Sequence, residues 1–88
     1  MRIEVQKSFE KDIEKISNIK LARQVNELIR ELENCSSIAG IRNIKKMKAK
    51  GSYYRIRVGN FRLGCRHDPG TLVLLRFMDR KDIYSYFP

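Results

Sequence analysis

Two segments in which polar and apolar residues alternate, joined by only two residues, constrain the fold of this chain more than any other feature. The segments are residues 53–58 and 61–67, and Gly59-Asn60 joins them. Alternation with a period of two is typical of a half-buried β-strand, and a two-residue link that begins with glycine is typical of a tight hairpin. The sequence therefore predicts a β-hairpin whose register is set by its turn.

This register assigns each side chain of the hairpin to one of two faces. Arg57 faces Arg62, Arg55 faces Gly64, and successive side chains point to opposite sides of the sheet. The predicted core face holds Tyr54, Ile56, Val58, Phe61, Leu63, Cys65 and His67. The predicted outer face holds Tyr53, Arg55, Arg57, Arg62, Gly64 and Arg66.

The rest of the chain predicts helices before the hairpin and more strands around it. After an alternating N-terminal segment, apolar residues at helical spacing predict two helices, which Ser8 and Asn18 would cap. Further strands are expected at residues 44–49 and 71–77. We predict a single α+β domain over residues 1–88. It would have an N-terminal strand, a two-helix hairpin, an antiparallel sheet of about four strands with the helices packed on one face, and a short C-terminal helix.

The net charge of +9 is confined to one stretch, residues 42–67, which contains no Asp or Glu. Outside it, ten Lys and Arg residues balance ten Asp and Glu residues. Such segregation indicates an anionic partner. The basic residues of the stretch are Arg42, Lys45, Lys46, Lys48, Lys50, Arg55, Arg57, Arg62 and Arg66.

The predicted pairing of Arg57 with Arg62 favours a phosphate ligand. Like charges directly opposite each other on a strand pair are destabilising, whereas a bound anion would compensate both, and arginine suits phosphate geometry. Gly64 would leave a gap through which a ligand approaches. The alternative is an ordinary solvated basic face. For Tyr53, covering the arginine stems is as plausible as stacking on a base.

The position of Arg76 depends on the turn before the last strand. A three-residue loop at residues 68–70 would bring Arg76 near Arg62, whereas a loop one residue shorter or longer would move it to the opposite face. The alternation favours the three-residue loop. In that case the core face would include Val73, Leu75 and Phe77.

Several classes of protein are disfavoured by the sequence. No apolar run approaches the roughly 20 residues that span a bilayer, and the N-terminus lacks the apolar block of a signal peptide, so we expect a cytoplasmic protein without membrane contact. Cys35 and Cys65 are expected to be unpaired thiols. With one histidine and no acidic cluster, we expect neither a metal nor another cofactor.

The chain resembles the RelE/ParE toxin superfamily. The resemblance rests on residues 44–47, on the phrase Tyr-Arg-Ile-Arg-Val-Gly-Asn-Phe-Arg at residues 54–62, and on residues 74–84 with their terminal Asp-Ile-Tyr. It implies a toxin of a type II toxin-antitoxin system that is neutralised by a cognate antitoxin protein. Members similar to RelE bind the ribosome and cut mRNA without a metal, driving the RNA 2'-hydroxyl against the adjacent phosphate.

The resemblance also implies roles for individual residues. Arg62 and Arg80 would hold the scissile phosphate, and Arg55 and Arg57 would neutralise developing charge. Tyr84 would stack on a base or transfer a proton. The residues expected to contact mRNA and ribosomal RNA are Arg42, Lys45, Lys46, Lys48, Lys50, Tyr53, Arg66 and Arg76.

Several alternatives remain open on sequence grounds. The general base could be Asp79, Tyr84 or His67, since arginine is a poor base. His67 could instead lie in the core or a turn, and Tyr84 could close the core. The chain could also be a ParE-like inhibitor of DNA gyrase, or a non-catalytic RNA-binding member of the same fold.

Overall fold

A computed structural model of the protein describes residues 1–48 and 51–88. The elements are β1 (Arg2–Val5), α1 (Lys7–Glu14), α2 (Ile19–Asn34), β2 (Ile44–Lys46), β3 (Tyr53–Val58), β4 (Phe61–Asp68), β5 (Thr71–Asp79) and α3 (Arg80–Tyr86). The strands form one sheet in the order β1-β5-β4-β3-β2, in which β1 is parallel to β5 and the other pairs are antiparallel. The predicted α+β class is confirmed. The N-terminal strand joins the same sheet, so the sheet has five strands.

The helix starts follow local capping chemistry in two of three cases. Asn18 caps α2 as predicted, because its Oδ1 accepts a hydrogen bond from the Leu21 amide at 3.2 Å. Asp79 caps α3 in the same way through the Lys81 amide at 3.0 Å. The prediction for Ser8 is wrong: α1 begins at Lys7, and the Ser8 hydroxyl donates to the carbonyl oxygen of Leu75 at 2.6 Å.

Each face of the sheet carries its own apolar cluster. The larger cluster lies under α1 and α2, where Leu32 of α2 is fully buried against sheet residues such as Ile56 and Leu63. The smaller cluster joins Ile83 of α3 and Phe87 to Met47. The two helices of the N-terminal hairpin therefore pack on one face, as predicted, and α3 covers the opposite face. Central strand residues are consequently buried on both sides, as Leu72, Val73 and Leu74 show.

The register of β5 differs from the prediction because its turn is shorter and the strand contains a bulge. Asp68 pairs with Thr71, which leaves a two-residue turn at Pro69-Gly70. Leu72 and Leu74 then join the helix-covered face, whereas Val73 pairs with Arg66 on the other face. The register shifts between Gly64 and Cys65, and Leu75 is the extra residue. Because of this extra residue, Phe77 lies on the helix-covered face as predicted. Leu75 was predicted on the same face, but it packs in the smaller cluster on the opposite face.

Where β1 ends, polar side chains of α1 form hydrogen bonds with the backbone of β5 at its open edge. β1 pairs with β5 only as far as Leu74. Beyond it, Ser8 donates to Leu75, and the Asp12 carboxylate accepts the amide of Phe77 at 2.9 Å. The same carboxylate accepts two hydrogen bonds from Arg76, at 2.8 and 3.2 Å. These bonds raise the pKa of Arg76 and hold its side chain at the sheet edge.

In the part of the chain that the structure describes, no helix combines the length and apolar character needed to cross a membrane.

Candidate nucleic-acid interface

The β3-β4 hairpin has the predicted register. Gly59, with φ 58°, forms the turn, Arg57 faces Arg62, and Arg55 faces Gly64. On the other side of β3, Lys45 of β2 faces Arg55. Three neighbouring strands thus bring four cationic side chains to one face of the sheet.

These side chains surround a cleft of about 180 Å³, which we call the basic cleft. The described residues that line it are Asn43, Lys45, Arg55, Arg57 and Arg62. None of these lining residues is acidic. Like charges so close together repel one another, and an anion bound between them would remove the repulsion.

The three arginines of the basic cleft contact neutral groups. Arg62 Nη1 donates to the carbonyl oxygens of Gly59 and Phe61 at 3.1 and 2.9 Å. Arg57 Nη2 donates to Asn43 Oδ1 at 3.2 Å. The guanidinium of Arg55 lies over the ring of Tyr84, 5.2 Å from its centroid. These contacts orient the guanidinium groups without neutralising their charge.

A second cleft, of about 620 Å³, adjoins the first and shares Lys45 and Arg55 with it. We call it the aromatic cleft. Its side chains combine an apolar floor with a basic rim, an arrangement that suits a base next to a phosphate. The described lining residues are Lys45, Lys46, Met47, Lys48, Arg55, Tyr84, Phe87 and Pro88. Tyr84 is 61% exposed, so it does not close the core.

The gap expected above Gly64 is filled. The ring of Phe87 lies so close that a Cβ atom on Gly64 would be 2.8 Å from it. The glycine therefore accommodates the C-terminal segment of this chain, and the prediction of a ligand passage at this position is wrong. The basic and aromatic clefts lie to the side of this contact.

Three residues expected at the interface have partners of their own. Arg66 forms an ion pair with Asp68 at 3.1 Å, and this pairing raises the pKa of the Arg66 side chain. Tyr53 packs edge-on against Phe87 with ring centroids 5.7 Å apart. Arg76 is held by Asp12 at the other edge of the sheet and does not lie beside Arg62.

Four further basic residues expected at the interface are exposed, and of these only Lys46 and Lys48 are among the described residues that line a cleft. Lys46 and Lys48 are exposed on the rim of the aromatic cleft, and Arg42 is exposed just before β2. The Arg80 amide donates to the Asn60 carbonyl oxygen at 2.9 Å, which places this exposed residue at the turn of the hairpin. Lys50, which is also expected to contact RNA, lies outside the described residues.

The candidate proton-transfer groups lie in different surroundings. Tyr84 lines the aromatic cleft, whereas Asp79 uses its carboxylate to cap α3. His67 is at the far end of β4, where it packs edge-on against Tyr54. Within residues 1–48 and 51–88, no group of three or more His, Cys, Asp or Glu side chains is arranged to hold a metal ion.

Asn43 also lines the basic cleft and was not predicted from the sequence. Its φ of 63° lies in the left-handed region, which asparagine adopts more readily than other residues with a side chain. The signal in the sequence is weak, since an asparagine before a short strand is compatible with any turn.

Comparison with known proteins shows the family. Residues 3–84 match the family described as "ParE toxin of type II toxin-antitoxin system, parDE". The chain is also 36% identical over 89 residues to Toxin RelE3 of Methanocaldococcus jannaschii, and the match covers the whole of both chains.

Comparison with solved structures supports the same family assignment. A RelB-RelE antitoxin-toxin complex from Methanococcus jannaschii matches with a TM-score of 0.81 and 35% identity, covering 97% of this chain and 99% of the other. The RelBE2 toxin-antitoxin complex of Mycobacterium tuberculosis matches with a TM-score of 0.72 and 22% identity, covering 90% and 96%, a likeness of fold. The chain therefore belongs to the RelE/ParE superfamily and is a toxin of the type II toxin-antitoxin class.

Proposed function

We propose that this toxin is a ribosome-dependent endoribonuclease that cleaves mRNA without a metal ion and thereby inhibits translation in the cytoplasm. The observation that carries the proposal is the basic cleft, in which Lys45, Arg55, Arg57 and Arg62 converge on a space of about 180 Å³. A scissile phosphate bound in this cleft would compensate these four positive charges. The site would be most complementary to the additional negative charge of the transition state.

The proposed reaction is an internal transfer at phosphorus. The RNA 2'-oxygen forms a bond to the adjacent phosphorus while the bond from phosphorus to the 5'-oxygen breaks, which leaves a cyclic phosphate and a 5'-hydroxyl. Arg62 and Arg80 would hold the phosphate, and Arg55 and Arg57 would stabilise the charge on its oxygens. The 2'-hydroxyl gives up a proton and the leaving 5'-oxygen takes one.

Tyr84 is the group that we propose for proton transfer. It lines the aromatic cleft beside Arg55, and its ring lies against the Arg55 guanidinium. Asp79 is less suited because its carboxylate already accepts the amide of Lys81. The exposed ring of Tyr84 is also suited to stacking on a base next to the cleavage site.

The lysines around the clefts would supply affinity for RNA in general. Lys45, Lys46 and Lys48 line the aromatic cleft, and each phosphate contact adds salt-dependent affinity without sequence preference. Ribosomal RNA and the mRNA backbone would both be bound in this way. Arg42 and Lys50 belong to the same basic stretch of the sequence.

A cognate antitoxin is the proposed protein partner. Relatives of this chain were solved in RelB-RelE antitoxin-toxin complexes. An antitoxin with an acidic segment would be attracted to the basic and aromatic clefts and would keep RNA out of them.

The matching family description supports a second candidate function. ParE toxins share the fold, and a ParE-like member would poison DNA gyrase without cutting RNA. The Arg62, Arg80 and Tyr84 positions favour the nuclease, because a gyrase inhibitor has no need for a phosphate cleft with a proton-transfer group.

Mapping mRNA 5'-ends after brief expression of the toxin tests the proposal. We expect new ends within codons that disappear when translation is blocked beforehand. Arg62→Ala should abolish both the cuts and the growth arrest, whereas Arg23→Ala, which removes an exposed arginine from α2, should preserve them. Growth arrest with intact mRNA and impaired DNA supercoiling would support the gyrase inhibitor instead.

A further inference from the structure

Asn43 binds Arg57 through two of its oxygen atoms. Its main-chain carbonyl accepts the Arg57 amide at 3.1 Å, and its side-chain Oδ1 accepts Arg57 Nη2 at 3.2 Å. The left-handed backbone of Asn43, with φ 63°, accompanies this double contact. Backbone strain of this kind clusters at functional sites, where the surrounding structure maintains it. Asn43 therefore adopts a less favourable backbone conformation, and its two oxygen atoms fix the position of Arg57.

Arg57 lies between two clefts of opposite charge. On one side is the basic cleft. On the other side is a cleft of about 240 Å³ against α2, which we call the α2 cleft. Its described lining residues are Gln24, Glu27, Leu28, Glu31, Asn43, Arg57, Val58 and Gly59. The α2 cleft thus contains two carboxylates that are potential partners for the guanidinium.

A carboxylate binds a guanidinium more strongly than a neutral amide does, because the hydrogen bond is assisted by charge. Nevertheless, Arg57 donates to Asn43, and among the described residues neither Glu27 nor Glu31 forms an ion pair with it. An ion pair on that side would neutralise Arg57 and draw its charge away from the basic cleft. The amide of Asn43 accepts the hydrogen bond without cancelling the charge.

We infer that Asn43 is a positioning residue that holds the Arg57 guanidinium at the basic cleft and away from Glu27 and Glu31. Its effect on cleavage rests on the proposed nuclease function, whereas its effect on the orientation of Arg57 does not. A phosphate that enters the basic cleft then meets an Arg57 whose charge is uncompensated and whose direction is already set.

Asn43→Gly is the direct test, since glycine adopts the left-handed backbone and lacks the side-chain acceptor. In the free toxin, we expect the Arg57 Nε signal and the side-chain carboxyl signals of Glu27 and Glu31 to shift in NMR spectra as the guanidinium turns to the α2 cleft. On programmed ribosomes, we expect cleavage to fall about tenfold, because a guanidinium turned away from the basic cleft no longer meets the phosphate in the productive geometry. The melting temperature should stay close to that of the wild type.

A rescue experiment separates positioning from general structural damage. Changing both Glu27→Gln and Glu31→Gln in the Asn43→Gly protein should restore most of the cleavage, because the competing carboxylates are gone. The matched control, Glu10→Gln with Glu14→Gln on α1, makes the same change in net charge away from the α2 cleft and should restore nothing. Asn43→Asp provides a second variant: it should keep Arg57 in place but reduce cleavage by offsetting its charge.

The outcomes distinguish this inference from the proposed function. Unchanged NMR signals in Asn43→Gly, or a loss of cleavage that the glutamine changes do not restore, would overturn the role of Asn43. A wild-type toxin that leaves mRNA intact would overturn the nuclease proposal, and the NMR comparison would still decide whether Asn43 directs Arg57.

Discussion

The ring of Phe87 lies directly over the backbone of Gly64, at a distance that leaves no room for a side chain on β4. Phe87 belongs to the smaller apolar cluster with Ile83 and Met47, so the contact joins the C-terminal segment to the centre of the sheet. It also forms one wall of the aromatic cleft. The size of residue 64 therefore determines whether α3 and its Tyr84 are held beside the basic cleft.

Gly64→Ala should destabilise the protein by about 1 to 3 kcal/mol, because the added methyl group would overlap the Phe87 ring and force α3 outward. Urea unfolding measures this loss. Gly40→Ala is the matched control, since a Cβ atom there meets no atom within 4 Å and the residue has no left-handed backbone. In a protein that also carries Phe87→Ala, the Gly64→Ala change should cost less. Equal costs with and without Phe87 would show that the overlap is not the cause.

The Asp12 carboxylate supports the open edge of β5, so its removal should be costly. Asp12→Ala would leave the Phe77 amide without its acceptor and would separate Arg76 from its partner. We expect the free energy of unfolding to fall by about 2 kcal/mol, a moderate value because the Arg76 side chain is 31% exposed and can turn to water. Glu10→Ala, on the exposed side of the same helix, should change stability little. Similar losses from both variants would contradict a specific role for Asp12.

The sequence predicted the features of this fold that depend on neighbouring residues. The hairpin register follows from Gly59-Asn60, and the α2 start follows from Asn18, because each depends on hydrogen bonds across a few positions. The β5 register was not predictable in the same way. Leu72, Val73 and Leu74 are all buried because both faces of the sheet are covered, so alternation carries no signal there.

The candidate site was predicted only where its geometry depends on neighbouring residues in the sequence. The placement of Arg55, Arg57 and Arg62 on one face follows from the hairpin, but the partners of other residues come from distant parts of the chain. Asp12 and Arg76 are 64 positions apart, and no local pattern links them. Phe87 over Gly64 is likewise a consequence of how α3 packs on the sheet.

Burial of Cys65 should make stability depend on pH in alkaline solution. Desolvation raises the pKa of its thiol from 9.0 to about 12. Above pH 9.0 the unfolded chain releases this proton while the folded protein retains it, so the stability present at lower pH is lost between pH 9 and 12. Deprotonation of this one thiol should lower the free energy of unfolding by at most about 1.4 kcal/mol per pH unit. Comparing urea midpoints with those of Cys65→Ala isolates it, since the variant lacks this thiol and should show a shallower decline.

The two cysteines should also differ in reactivity. Cys35 is partly exposed, whereas Cys65 is buried and its thiol stays protonated. A thiol reagent at pH 8 should modify Cys35 in the folded toxin and reach Cys65 only after unfolding. Rapid modification of Cys65 in the Cys35→Ser protein would show that the centre of the sheet opens readily.

The hydroxyl and the ring of Tyr84 can be tested separately. Tyr84→Phe keeps an aromatic ring over Arg55 but removes the hydroxyl, so under the proposed mechanism cleavage on ribosomes should fall by about 100-fold. Tyr84→Ala removes both and should in addition weaken RNA binding. Single-turnover rates and RNA affinities measure the two effects. Cleavage by Tyr84→Phe at the wild-type rate would assign Tyr84 to stacking alone.

The salt dependence of RNA binding should distinguish Arg62 from Arg66, although both belong to the outer face of the hairpin. Arg62 contacts only neutral carbonyl oxygens among its described partners, whereas Arg66 is paired with Asp68. A paired arginine releases fewer counterions when it meets a phosphate. We therefore expect Arg62→Ala to reduce the slope of log affinity against log salt by about 0.7 for a single-stranded oligonucleotide.

Arg66→Ala should change that slope much less. Asp68→Asn should make it steeper, because it leaves Arg66 with an uncompensated charge near the RNA. Affinities measured across a range of potassium chloride concentrations provide all three slopes, and calorimetric melting confirms that each variant is folded. If Arg66→Ala lowered the slope as much as Arg62→Ala, the ion pair with Asp68 would have to break on binding, and the phosphate surface would then extend along β4 beyond the basic cleft.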